Sequence, residues 1–210
     1  ATSIAGAASL APPFPFPMGR CHPWLIGVTL TSGTVCWLAI ASTAAPASAN
    51  VASSEDPKGT DPSKYVAVVA VLGETPYAEY NGDVRAPKPV AHSVLHPADL
   101  AVLQRVSGKG VPVVSVLYSG RPAYANDLIN LSDAFIAAFL PGTEGQGLAD
   151  LLVGGRHDFT GRLSFAWPGS ACSTGENVDS IVQFARGYGL SYAKPGRVGA
   201  LPEPAVPTAC

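Results

Sequence analysis

The chain has 210 residues, 47% of them hydrophobic and 13% charged, which is enough apolar material for one core of ordinary size. Its 22 glycines and 20 prolines make up a fifth of the chain, below the roughly 25–30% at which composition alone implies disorder. A net charge of −2 and the lack of a basic run exclude electrostatic recruitment to nucleic acid or an anionic membrane. The expected ligand is small and neutral.

Residues 1–62 are rich in Ala, Pro, Ser and Thr and show no sustained period of 2 or 3.6. From Met18 the order is one basic residue, an apolar run over 24–41 and a small-residue tail ending ASA at 47–49, the pattern of a secretory signal peptide. Thr29, Thr31, Ser32, Gly33 and Thr34 interrupt the apolar run, and a membrane span needs about 20 predominantly apolar residues. The alternative is a leader without structural role. Residues 53–63 read as a polar linker, so 1–62 stands apart from the expected domain at 63–195 and from a Pro-rich tail at 196–210.

Ordered elements are expected from residue 65. The run YVAVVAVL at 65–72 is continuously apolar and closed by Gly73, as suits a strand buried on both faces. The segment 97–106 places Pro97 at the first helical position, Asp99 in the first turn and Leu100, Leu103 and Val106 on one face, which predicts a helix. A second strand is expected over 111–118, with Pro112 at its start, and a third over 133–140. A helix is predicted over 143–153 with Thr143 as N-cap, then an edge strand over 162–167. Strands alternating with helices predict an α/β fold, a mostly parallel sheet flanked by helices, carrying an irregular N-terminal extension. In such a sheet ligands bind beyond the carboxyl ends of the strands, which places 73–83, 119–122 and 140–143 on one edge.

Other residues carry weaker signals. Cys21, Cys36, Cys172 and Cys210 have no C-x-x-C spacing, which argues against a zinc site. Cys172 and Cys210 either pair in an oxidising compartment or stay as loop thiols. His92 and His96 have the i, i+4 spacing of a helical metal pair, but Pro97 implies that the helix starts after them, so surface histidines are expected and no metal site. Tyr77 and Trp167 suit either sugar stacking or burial. Residues 142–147 suit packing and capping better than anion binding, because Glu144 repels phosphate. No G-x-G-x-x-G follows the first strand, which argues against a nucleotide site.

The strings GETPYAE at 73–79 with Gly82-Asp83, SGRP at 119–122, LPGTEGQG at 140–147, DFTGRL at 158–163 with Trp167-Pro168, and GYGLSY at 187–192 together resemble the second domain of family 3 glycoside hydrolases. The motifs span about 64–192 in the family's order. The resemblance implies a β-glucosidase-like or exo-glucan-hydrolase-like retaining activity on a β-glucoside or oligosaccharide, without a cofactor. It also implies a (β/α)8 barrel that carries the nucleophile, and a general acid/base glutamate on a loop of the sandwich. The matching position is Glu79, with Glu74 second because it sits against the strand end and is expected to bond nearby backbone. Tyr77 and Arg121 are candidate substrate contacts, Arg121 being better placed for a structural ion pair.

No barrel of about 250 residues fits before residue 63, and the family's sandwich has further elements ahead of its first motif. The expectation is therefore a truncated sandwich, a fragment inactive by itself and lacking the nucleophile. The competing reading is a carbohydrate-binding or interaction module that has lost its catalytic partner. A periplasmic or secreted location follows if the leader is a signal segment, and a cytoplasmic one if it is not.

Overall fold

The computed structural model describes residues 61–75, 77, 82, 88–152, 157–173, 181–203, 205, 207 and 210, and the backbone of three strands nearer the N-terminus. Those strands are β1 (Ala5–Ala8), β2 (Trp37–Ala41) and β3 (Asn50–Ala52). After a 3-10 turn at Pro62–Lys64 come β4 (Ala67–Gly73), α1 (His92–Leu95), α2 (Pro97–Val106) and β5 (Val113–Tyr118). The chain continues through α3 (Asn126–Asn130), β6 (Ala134–Ala137), α4 (Gly145–Leu152), β7 (Trp167–Pro168) and β8 (Val182–Phe184).

The main sheet has the order β1-β6-β5-β4-β2-β3. Its centre is parallel: Val68 opposes Val113 and Gly73 opposes Tyr118, while Val114 opposes Ala134 and Leu117 opposes Ala137. The α/β class expected from the sequence is therefore present. The flanks are antiparallel, β1 on β6 and β2 on β4, so the stretch without sequence period adds strands to both edges. Strands of three to five residues are too short to display a period, and pairing with an existing edge defines them.

Alternation along the central strands feeds two cores. Val68, Ala70, Leu72, Val113, Leu117, Phe135 and Ala137 face Val102, Leu103 and Val106 of α2, Leu128 and Ile129 of α3, and Leu163 and Trp167. Val69, Val114, Val116, Ala134 and Ile136 face Leu148 of α4 and Phe159. Burial on both faces explains why these strands read as unbroken apolar runs. Ser115, fully buried on β5, is tolerated because its hydroxyl meets that of Ser132 at 2.6 Å.

Three expectations change. Residues 162–166 form no strand; Trp167–Pro168 pairs antiparallel with Val182–Phe184 in a separate two-stranded sheet. Leu163 instead exchanges backbone bonds with the turn at 187–188, its amide donating to Tyr188 and its carbonyl accepting from Gly187. Thr143 does not open α4, which begins at Gly145, and its hydroxyl donates to Glu144 Oε1 at 3.2 Å. His92 is 1% exposed and begins α1, so it is no surface histidine.

The C-terminal segment is tied down. The Asn130 amide group donates to the Leu201 carbonyl at 2.9 Å and accepts from its N–H at 2.8 Å, as a neighbouring strand would. Tyr124 Oη and Asn126 Nδ2 both donate to the Pro202 carbonyl, and Cys172 and Cys210 form a disulfide.

Asp158, from the DFTGRL string, holds the segment after the GYGLS turn by accepting the amides of Tyr192 at 2.6 Å and Ala193 at 3.1 Å, with Phe159 at 2.7 Å. Burial by itself would raise its pKa; the amide bonds outweigh that and hold it below the ordinary 3.8. The folded state prefers the carboxylate, so this stabilisation is complete above the unfolded pKa and is lost as pH falls through the depressed folded value. Asp158→Asn is expected to lower Tm by about 2–4 °C at neutral pH and by less at a pH well under the ordinary 3.8. Thermal melts at the two pH values check this, and equal losses would contradict it.

Candidate functional site

The carboxyl ends of β4, β5 and β6 bring three polar connections to one edge. Glu74 continues the ladder one step past β4, its amide donating to the Tyr118 carbonyl at 3.0 Å. That bond aims its side chain across the first residues after β5. Oε1 accepts from Arg121 Nε at 2.9 Å, and Oε2 accepts from the Gly120 amide at 3.1 Å and the Tyr77 hydroxyl at 3.4 Å. The Glu74 side chain is only 6% exposed. An ionised carboxylate at that depth needs partners, and it has three.

Arg121 is the hub. Its guanidinium pairs with Glu74, lies 4.3 Å from the centroid of the Tyr77 ring, and donates through Nη1 to the Gly82 carbonyl. The planar, delocalised cation can pair in its plane and stack on its face together, which an ammonium cannot. Ser119, 1% exposed, fixes the backbone there by donating to the Arg121 carbonyl at 2.6 Å. Burial, then the negative charge of Glu74, pushes the Tyr77 hydroxyl above its ordinary pKa, with Arg121 pulling the other way. Tyr77 thus stays a neutral donor to Glu74.

Glycine lets the chain approach Tyr77 closely at two of these positions. A Cβ at Gly82 would run into the Tyr77 ring, and one at Gly120 into the Tyr77 hydroxyl. On the third connection Phe139 takes a positive φ of 53°, uncommon for a bulky side chain. Its ring packs edge-on against Phe165 and Trp167, while Leu140 next to it is 73% exposed. Leu140 Cδ1 lies 3.7 Å from the Cβ position at Gly120, so the β5 and β6 connections meet there.

The structure thus gathers Glu74, Tyr77 and Arg121. Glu79, the sequence's first choice for the acid/base, lies outside the described residues. Trp167, the other aromatic singled out, is 2% exposed in the core and far from offering a stacking face. Among the described residues no group of three or more His, Cys, Asp or Glu could hold a metal ion. Sequence reasoning missed the pairing of His92 with Asp99, whose atoms Nε2 and Oδ2 lie 2.6 Å apart in the interior. The available signal was Asp99 itself, a carboxylate on an apolar helix face.

These features define an α/β sandwich domain with its polar cluster at the carboxyl edge of parallel strands, where open sheets of this class present ligands. Residues 26–192 match the model of the glycosyl hydrolase family 3 C-terminal domain, and the chain belongs to that family. The match starts well before residue 64, so the domain reaches into the stretch that carries no motif.

Lysosomal beta glucosidase of Dictyostelium discoideum is 34% identical over 135 residues, covering 60% of this chain and 16% of that protein. A point mutant of the exo-1,3/1,4-beta-glucanase of a Pseudoalteromonas species superimposes with a TM-score of 0.63 at 39% identity, covering 71% of this chain and 25% of that one. The Listeria innocua beta-glucosidase in complex with isofagomine gives a TM-score of 0.50 at 27% identity, covering 62% and 21%. The chain spans a quarter or less of the length of each of these three.

Proposed function

We propose that this domain supplies the general acid/base carboxylate, Glu79, to a retaining β-glycoside hydrolase of β-glucosidase type whose nucleophile is carried by a (β/α)8 barrel outside this sequence. The observation that carries the reading is the Arg121 clamp, which binds Tyr77 and Gly82 and so anchors the chain on both sides of Glu79.

A retaining enzyme needs two carboxyl groups about 5–5.5 Å apart, one attacking the anomeric carbon and the other protonating the leaving oxygen and then activating water. The acid must keep its proton near neutral pH, which an apolar or anionic setting provides. In this proposal docking of the barrel supplies that setting, with exposed Leu140 and Tyr77 facing the partner. The substrate is a β-glucoside or β-linked glucan oligosaccharide, and no cofactor takes part. The Cys172–Cys210 disulfide supports a secreted or periplasmic location.

The test joins this chain to the barrel-bearing remainder of a family relative. The joined protein is expected to hydrolyse an aryl β-glucoside, and the chain by itself is not. Turnover by the isolated chain, or a folded joined protein that binds glucose without cleaving, would overturn the assignment. The second result would favour a binding module.

A further inference from the structure

Among the described residues, no strand receives the Gly73 amide at the end of β4. The amides of Val68 and Glu74 point toward β5, donating to Pro112 and Tyr118. With a period of two, the amide of Gly73 points to the opposite edge. There β2 reaches along β4 only as far as Ala70. A side chain takes the missing strand's place: Asp99 Oδ2 accepts the Gly73 amide at 3.1 Å.

Asp99 lies in the first turn of α2, 6% exposed. The same oxygen meets Nε2 of His92 at 2.6 Å. The other ring nitrogen, Nδ1, is buried and has no hydrogen-bond partner among the described residues. Asp99 Oδ2 already accepts the Gly73 amide, so the short contact with it is made by a ring proton on Nε2. The His92 amide donates to the Tyr124 carbonyl at 3.0 Å, and the His96 ring covers its own at 4.7 Å between centroids. The imidazole is thus held on several sides, and it holds the carboxylate in turn.

We propose that His92 and Asp99 are a positioning pair for the loop that begins at Glu74. The linkage runs from the His92 ring through the Asp99 carboxylate and the Gly73 amide to Glu74, and from Glu74 through Arg121 to Tyr77 and Gly82. The pair fixes where β4 ends, so it fixes the direction in which the Glu74 carboxylate meets Arg121. Neither residue touches substrate in this arrangement. Its consequence for catalysis rests on the reading that Glu79 works from this loop; the placement of the loop itself does not.

The test uses the whole isotopically labelled chain and reads hydrogen exchange by NMR at Gly73 N–H and Arg121 Nε–H, with Val116 N–H in the middle of β5 as internal reference. Asp99→Asn, nearly isosteric but uncharged, is expected to speed exchange at both reporters about tenfold, as loss of a charge-assisted bond should, and to leave Val116 unchanged. His92→Gln, which keeps an N–H donor, is expected to restore most of the protection that His92→Ala loses. Faster exchange at Gly73 with an unchanged Arg121 Nε–H would overturn the proposal, because the pair would then secure only the strand end. Equal acceleration at Val116 in both Asp99→Asn and His92→Gln would overturn it too, showing a general core role. No glycoside is involved, so coupling seen in this chain alongside an inactive joined enzyme sinks the proposed reaction alone. Lost coupling alongside an active joined enzyme sinks the positioning pair alone.

Discussion

Glu79→Gln in the barrel-joined enzyme is expected to lower turnover about a thousandfold on glucosides with poor leaving groups, within the range that general acid–base catalysis contributes. Cellobiose needs its departing alkoxide protonated, and the glutamine amide is far too weak an acid to do that. A dinitrophenyl glucoside does not, because its phenolate leaves unaided. The first step should therefore survive on that substrate, while the second slows for want of a base to activate water. Pre-steady-state kinetics would show a burst of phenolate followed by a slow steady state. The limb of the pH–rate profile set by the acid should vanish as well. Equal loss on both substrate classes would show that Glu79 has no acid role. Making the same comparison with Glu74→Gln separates the two glutamates, since Glu74 is engaged by Arg121 and the Gly120 amide.

The second large effect is expected at Arg121. Arg121→Ala leaves the Glu74 carboxylate, 6% exposed, without its cation, and breaking a buried pair from one side costs about 3–5 kcal/mol. The guanidinium is 21% exposed, and screening there brings the loss below that range, to about 2–3 kcal/mol. Arg121→Lys should recover little of it, since an ammonium cannot stack on Tyr77 while pairing with Glu74. Adding Glu74→Gln to Arg121→Ala should restore part of the loss by removing the stranded charge. Urea unfolding of the four proteins in a double-mutant cycle measures this. A loss below about 0.5 kcal/mol for Arg121→Ala would mean that the pair is effectively solvated.

Several elements were legible before any coordinates. The helix at Pro97–Val106 has the bounds that its Pro97 start and three-residue apolar spacing predict, because both signals are local. The strands at Ala67–Gly73 and Val113–Tyr118 were visible as apolar runs, which burial on both faces produces. The residues at 162–166 misled, because alternating apolar side chains suit packing onto a sheet face as well as pairing within one. His92 misled through a similar gap. A histidine before a Pro-started helix looks solvated until a buried carboxylate seven residues away is brought against it.

The sequence by itself determined the α/β class, the parallel centre and the edge on which the polar connections meet. Those follow from periodicity, chain direction and turn residues, which are properties of neighbours along the chain. Only the tertiary structure decided that Glu74 spends its carboxylate on Arg121, that Arg121 stacks on Tyr77, and that Asp99 completes the edge of β4 while binding His92. The partners in these contacts are separated by 47, 44, 26 and 7 positions, and nothing in local pattern specifies which side chain will fill an orphaned donor. The edge strands from the first 52 residues belong to the same category, since a short strand exists only where an unpaired edge awaits it.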